Sequence, residues 1–189
     1  MRHVPNLKDF SPQELSDILQ ISAEIKANPK DFHNALHRES LAMLFQKTST
    51  RTRVSFEVAM TELGGHAIFI DWMTSNFLLS GIEHDTQYLS RNVGFIMARL
   101  MHHEDLLKII GASKVPVING CCEKFHPCQA LTDVLTMQEH YEGDIRDASI
   151  VYVGVQNNVS NSLVTLADKL GMQLTLATPA NDDNGESID

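Results

Sequence analysis

Four short apolar runs, at residues 41–45, 67–70, 95–98 and 115–118, alternate with stretches of helical spacing near 53–63, 86–93 and 103–110. Strand-length runs separated by single helices fit a parallel sheet whose crossover helices cover both faces. An α/β fold is therefore predicted. In such sheets ligands gather beyond the carboxyl ends of the strands, where loops lead into helix N-termini. Those loops are the places to search for chemistry.

The flanks fit the same plan. Phe10-Ser11-Pro12-Gln13-Glu14 reads as a helix start, with Ser11 as N-cap, Pro12 in the first turn and Glu14 closing a capping box. Leu15, Ile18, Leu19, Ile21 and Ile25 continue it at steps of mostly three or four. A further helix is expected over 127–140, and Tyr141-Glu142-Gly143-Asp144 then breaks the pattern. Beyond it come a strand at 150–155, a polar turn at Gln156-Asn157-Asn158, a helix to Leu170 capped by Gly171, and a strand at 173–177. That is one β-α-β unit, whose apolar faces need neighbours. The division is thus 1–143 for a first domain and 144–189 for the opening of a second, Rossmann-like α/β domain, ending in the polar loop Asn181 to Ser187.

A formal net charge of -9 with no Lys/Arg run leaves no broad basic face for nucleic acid or an anionic membrane. Any anionic ligand must be held by a local group of cations and amides. No apolar run approaches the roughly 20 residues of a membrane span, and Met1 to Lys8 has no apolar stretch like a signal peptide, so a cytoplasmic protein is expected. Three cysteines, Cys121, Cys122 and Cys128, suit reduced thiols better than a disulfide framework. His126 lies close by, but neither C-x-x-C nor a paired-His motif is present, and no metal site is expected.

Ser49-Thr50-Arg51-Thr52-Arg53 follows the first apolar run and opens a helix. Helix-terminal amides, hydroxyls and guanidinium donors meeting there suit a phosphate dianion. A lone string of this kind more often caps a helix, but its position at the binding edge of the sheet favours the ligand reading. His126-Pro127-Cys128-Gln129, with Asp133 four residues after Gln129, again precedes a helix and follows a strand. A His and a Gln so placed can address a carbonyl oxygen and an amide NH2, although a lone His before a helix is more often structural. Arg99, just beyond the run at 95–98, is the third candidate.

Together these positions resemble the aspartate/ornithine carbamoyltransferase family. The text that carries the resemblance is FQKTSTRTRVSFE at 45–57, DTQYLSR at 85–91, Met97-Ala98-Arg99, HPCQALTD at 126–133 and NNVSNSL at 157–163. It implies a carbamoyl-phosphate-binding domain followed by the start of an acceptor-binding domain, carbamoyl transfer to an amine, no cofactor, and a homotrimer with sites at subunit boundaries. Carried over by position, Ser49, Thr50, Arg51 and Thr52 bind the phosphate and Arg99 reaches phosphate and carbonyl oxygen. His126 contacts the carbonyl oxygen and Gln129 the carbamoyl NH2. Arg53 and Asp133 support the site, and Asn158 touches the α-amino/carboxylate end of the acceptor. Arg51, Arg99 and His126 are the catalytic set. Cys128, where the aspartate branch usually has Thr, points to ornithine as acceptor. Putrescine or another amine, and a non-catalytic carbamoyl-phosphate-binding paralogue, stay open as alternatives.

Two departures accompany the resemblance. The family's loop before the DT motif usually contributes a Gln and a Lys/His-Glu pair; here residues 76–84 read NFLLSGIEH, with Asn76 standing in for the Gln. The Ser-Met-Gly and His-Cys-Leu-Pro segments that bind ornithine-type acceptors do not occur in these 189 residues.

Overall fold

Helix α1, Pro12–Ala27, begins where its caps dictate: the Ser11 hydroxyl accepts from the Glu14 amide at 3.2 Å and the Glu14 carboxylate accepts from the Ser11 amide at 2.8 Å. Strands and helices then alternate as β1 (Ser40–Phe45), α2 (Thr50–Glu62), β2 (His66–Asp71), α3 (Ile82–Leu89), β3 (Phe95–Arg99), α4 (His103–Ala112), β4 (Val117–Cys121) and α5 (Pro127–His140). A second run follows, β5 (Ser149–Val153), α6 (Asn158–Leu170) and β6 (Gln173–Ala177). The computed structural model describes residues 1–179, so the polar loop read at 181–187 lies outside the described residues.

The first four strands form one parallel sheet in the order β2-β1-β3-β4. Period-two alternation sorts the side chains of β1. Ala42 and Leu44 pack with Ile96, Leu106 and Ile109 on the α3/α4 face, while Leu41, Met43 and Phe45 pack with Phe56 and Met60 of α2 on the other. Helices therefore cover both faces, as the alternation predicts. Each fully buried Leu or Ile here contributes about 1.5–3 kcal/mol. The N-terminal segment lies along β4, where the Val4 amide donates to the Val117 carbonyl at 2.8 Å.

Several element ends differ from the sequence expectation, each for a local reason. The strand expected at 115–118 is β4, Val117–Cys121. Val115 is held in a turn by the Ser113 hydroxyl, Pro116 has no N–H to donate, and the strand runs on through Asn119 because its buried side chain donates to the Pro5 carbonyl at 2.9 Å. Helix α2 starts at Thr50 rather than 53 because Ser49 caps it. Helix α3 is Ile82–Leu89, not 86–93, starting after Gly81. The strand expected at 150–155 ends at Val153, since Gly154 takes φ 151°.

The chain bends between α5 and β5, where the pattern breaks, but apolar contacts cross that point. Leu163, Leu166 and Ala167 of α6 share one buried cluster with Leu15 and Leu19 of α1 and Ala130 and Val134 of α5. The helical face of the β-α-β unit thus finds the neighbours it needs. Its open sheet face is another matter: Val151 is 58% and Val153 78% exposed. No helix among the described residues is long and apolar enough to cross a membrane.

Candidate functional site

Strand β1 has β2 on one side and β3 on the other, so the connections leaving β1 and β3 turn in opposite directions. Such a reversal opens a crevice at the carboxyl ends of the strands. Phe45 pairs with Arg99 and Arg99 with Cys121, which puts the ends of β1, β3 and β4 level. The segments that follow carry Ser49 to Thr52, Arg99 itself, and His126 to Gln129. They enclose a cleft of about 360 Å³ lined by Ser49, Arg51, Thr52, Arg99, His126 and Gln129. A larger hollow of about 500 Å³ between α1, α5 and α6 brings no comparable set of convergent donors together, so size does not locate the site.

The Ser49 hydroxyl caps α2, accepting from the Thr52 amide at 3.3 Å, and donates to Thr52 Oγ1 at 3.0 Å. Arg99 Nη1 donates to the same Thr52 oxygen at 3.3 Å, across 47 residues of sequence, while Arg99 Nε is buried without a protein partner. A buried unpaired donor is costly, about 1–3 kcal/mol, and here it belongs to a fork shaped for phosphate or carboxylate oxygens. Arg51 lines the cleft with an exposed side chain. Helix amides, hydroxyls and two guanidinium groups thus converge on one anion-sized space.

His126 and Gln129 stand on the facing wall. Gln129 Nε2 donates to Asp133 Oδ1 at 2.8 Å, which fixes the amide and leaves its oxygen free to accept. His126 Nδ1 is buried without a partner. Burial, with the Arg99 and Lys47 cations nearby, pushes His126 down to about 4, so the ring is neutral at pH 7 and can donate from one nitrogen without carrying charge. Burial also pushes the Cys128 thiol up to about 11, and Sγ points to the Asn119 carbonyl at 3.7 Å. Its nucleophilic thiolate is suppressed.

The low His126 value sets a pH dependence. The unfolded chain protonates this ring near 6.5 and the folded chain near 4, so the unfolded state binds more protons between those values. Its contribution makes stability fall as pH drops below 6.5 and level off below about 4. His126→Gln should therefore narrow the gap in unfolding free energy between pH 7 and pH 5, measured by urea denaturation. An unchanged gap would show the ring to be ordinary.

Other expected residues fall differently. Thr50 is exposed and lines a neighbouring hollow with Lys47 and Phe69, leaving its helix-terminal backbone as its link to the site. Arg53 turns away, pairing with Glu57 at 2.9 Å and stacking over Phe69 at 3.8 Å, which suits a supporting role. Asn76 is exposed in a short turn and does not line the cleft. Asn158 commits its amide hydrogens to the end of β4, donating to the Cys122 carbonyl at 2.5 Å and Cys121 Sγ at 3.3 Å, and its Oδ1 takes no part in these bonds.

Sequence reading missed Ser55, Phe56, Gly120 and Thr132 in the cleft wall, and Gln46 beside it. Gly120 sits at a register shift between β3 and β4, where a Cβ would meet Met97 Sδ at 2.3 Å; a glycine closing a strand was the signal for this bulge. Gln46 ties the ends of β1 and β3 by accepting from the Met101 amide at 2.7 Å.

Fold and site together define an α/β protein with a cleft of convergent hydroxyl, amide and guanidinium donors at the switch point of a parallel sheet. Residues 2–139 match the family described as "Aspartate/ornithine carbamoyltransferase, carbamoyl-P binding domain", and the chain belongs to that family. It is 41% identical to the catabolic ornithine carbamoyltransferase of Halobacterium salinarum, over 100% of this chain and 63% of that protein. With the ornithine carbamoyltransferase of Archaeoglobus fulgidus the identity is 40%, over 100% of this chain and 62% of that one. Among solved structures, ornithine carbamoyltransferase from Pyrococcus furiosus superposes with a TM-score of 0.89 at 41% identity, covering 99% of this chain and 59% of that chain. The chain spans about three fifths of the length of these relatives.

Proposed function

We propose that this chain forms the carbamoyl-phosphate half of an ornithine carbamoyltransferase. The observation that carries the reading is the meeting of Ser49, Arg51, Thr52 and Arg99 with His126 and Gln129 in one cleft. The first four hold phosphate oxygens, His126 donates to the carbonyl oxygen and Gln129 Oε1 accepts from the carbamoyl NH2. A neutral amine then attacks the carbamoyl carbon; the new C–N bond forms, the C–O bond to phosphate breaks, and the proton lost by the amine passes to the departing phosphate. Charge growing on the carbonyl and phosphate oxygens is met by Arg51, Arg99 and His126, and held geometry supplies the rest. Ornithine as the acceptor is supported by the names of the relatives and by Cys128, with Asn158 Oδ1 available to an α-ammonium. A homotrimer in the cytoplasm belongs to the same proposal, on the strength of the family resemblance.

Calorimetric titration tests it. Carbamoyl phosphate should bind the unaltered chain, and Arg51→Ala should weaken binding about tenfold, the value of one exposed charge-assisted bond. Equal affinity for both proteins would remove the anion assignment. On a protein carrying both domains, carbamoyl transfer should be faster to ornithine than to putrescine or aspartate, and a preference for aspartate would overturn the acceptor.

A further inference from the structure

We infer that Ser162, one turn into α6, is a positioning residue for His126, holding the backbone of the carbonyl-binding histidine from the second domain. The inference rests on the proposed role of His126 and concerns what sets its place.

His126 precedes α5 with φ -137° and ψ 70° and has no side-chain cap of its own, so its ring follows its backbone. That backbone is held from across the domain division. The His126 amide donates to Ser162 Oγ at 2.8 Å and to the Asn158 carbonyl at 3.2 Å, and the Ser162 hydroxyl donates to the same Asn158 carbonyl at 2.9 Å. Two more bonds run alongside: Asn158 Nδ2 to the Cys122 carbonyl at 2.5 Å, and Asn161 Nδ2 to the Lys124 carbonyl at 3.1 Å. The turn they grip is itself closed, the Cys122 amide donating to the Phe125 carbonyl at 3.0 Å.

A helical serine commonly bonds its own i−4 carbonyl and does nothing else. Ser162 does that and also accepts an N–H from 36 residues upstream, while only 1% exposed, so no water can take its place. The first turns of α6 and the segment 122–126 therefore form one unit, and any shift of α6 moves His126. Ser160 is the matched comparison. It is 0% exposed on the same helix, yet its hydroxyl serves only Asn157, accepting from that amide at 2.8 Å and donating to that carbonyl at 2.9 Å.

The test follows the His126 ring by NMR across pH in the full chain, unaltered and as Ser162→Ala and Ser160→Ala. The charged groups facing the ring are Arg99 from β3 and Lys47 from the connection after β1. Ser162→Ala should shift the ring signals, raise their midpoint from about 4 toward 6.5, and weaken carbamoyl phosphate binding about three- to tenfold, the value of one hydrogen bond. Ser160→Ala should leave all three near those of the unaltered chain. Equal displacement by both substitutions would make Ser162 merely structural and overturn the inference. Amide hydrogen exchange in the unaltered chain keeps the inference open to refutation even if Ser162→Ala does not fold: protection at His126 is expected from its two bonds to α6, and free exchange there would overturn the inference. A chain that fails to bind carbamoyl phosphate would reject the proposed function instead, leaving the ring signal to judge Ser162.

Discussion

Arg99→Ala should weaken carbamoyl phosphate binding by about 100-fold or more while leaving the free protein as stable as before, or slightly more so. The two effects come from one geometry. Arg99 ends β3 between the loops of its two neighbours, tied to Thr52 through Nη1 with Nε buried and unpaired. In the free protein a half-buried cation carries a desolvation penalty that one 3.3 Å bond to a neutral hydroxyl only partly offsets. On the proposed binding mode the same fork would meet phosphate and carbonyl oxygens, and two charge-assisted bonds at about 1.5–3 kcal/mol each would give 100-fold or more. Calorimetry on Arg99→Ala reads the affinity and a thermal melt reads the stability. Arg99→Lys keeps the charge but not the planar fork, and should recover only part of the binding. Removing the cation should also raise the His126 midpoint, since Arg99 helps hold it down. Retained affinity, or a large loss of stability with little loss of affinity, would make Arg99 a structural residue.

How much of this was legible in the sequence differs between fold and site. Strands β1 and β3 read clearly because both faces of a central parallel strand are buried, which demands an unbroken apolar run. The ends of α1, α5 and α6 read clearly because Ser11, Pro127 and Gly171 are local signals acting within a few residues. Strand β4 differs from expectation at both ends: a turn closed by Ser113 and the missing N–H of Pro116 delay its start, while its last three residues, Asn119, Gly120 and Cys121, are placed by contacts to Pro5 and by a bulge beside Met97. The same division holds in the site. Ser49 to Thr52 and His126 to Gln129 stand out because a strand end and a helix start coincide with donors. Gln46 and Ser162 do not, since each matters through a partner 55 or 36 residues away that no local pattern announces. Asn76 rests on the family resemblance of the loop before the DT motif, and its short turn leaves it exposed outside the cleft of the single chain.

The second large effect concerns whether the β1–β4 sheet and the β5-α6-β6 unit stand or fall together. Leu166→Ala should cost about 2–5 kcal/mol of stability, the range for removing a fully buried leucine from a cluster that cannot close around the gap. Leu166 is 0% exposed, and its cluster takes in α1 and α5 as well as α6, so a void there loosens the packing of α1 and α5 from outside the four-stranded sheet. Trp72, the single tryptophan, reports on a different place: it packs with Phe77 in the cluster on the α3/α4 face and has no part in the Leu166 cluster. Urea unfolding followed by Trp72 fluorescence and by far-UV circular dichroism therefore separates two outcomes. If the apolar bridge makes one cooperative unit, both signals should move to lower urea together in Leu166→Ala. If the β-α-β unit is a loose appendage, dichroism should shift and fluorescence should stay. The structure favours the first, because α1 and α5 cannot lose their shared layer without exposing Leu15, Leu19 and Val134, each buried to within 4%. A cooperative bridge is also what lets α6 hold His126 in place, so separate transitions would weaken the case for Ser162 as well.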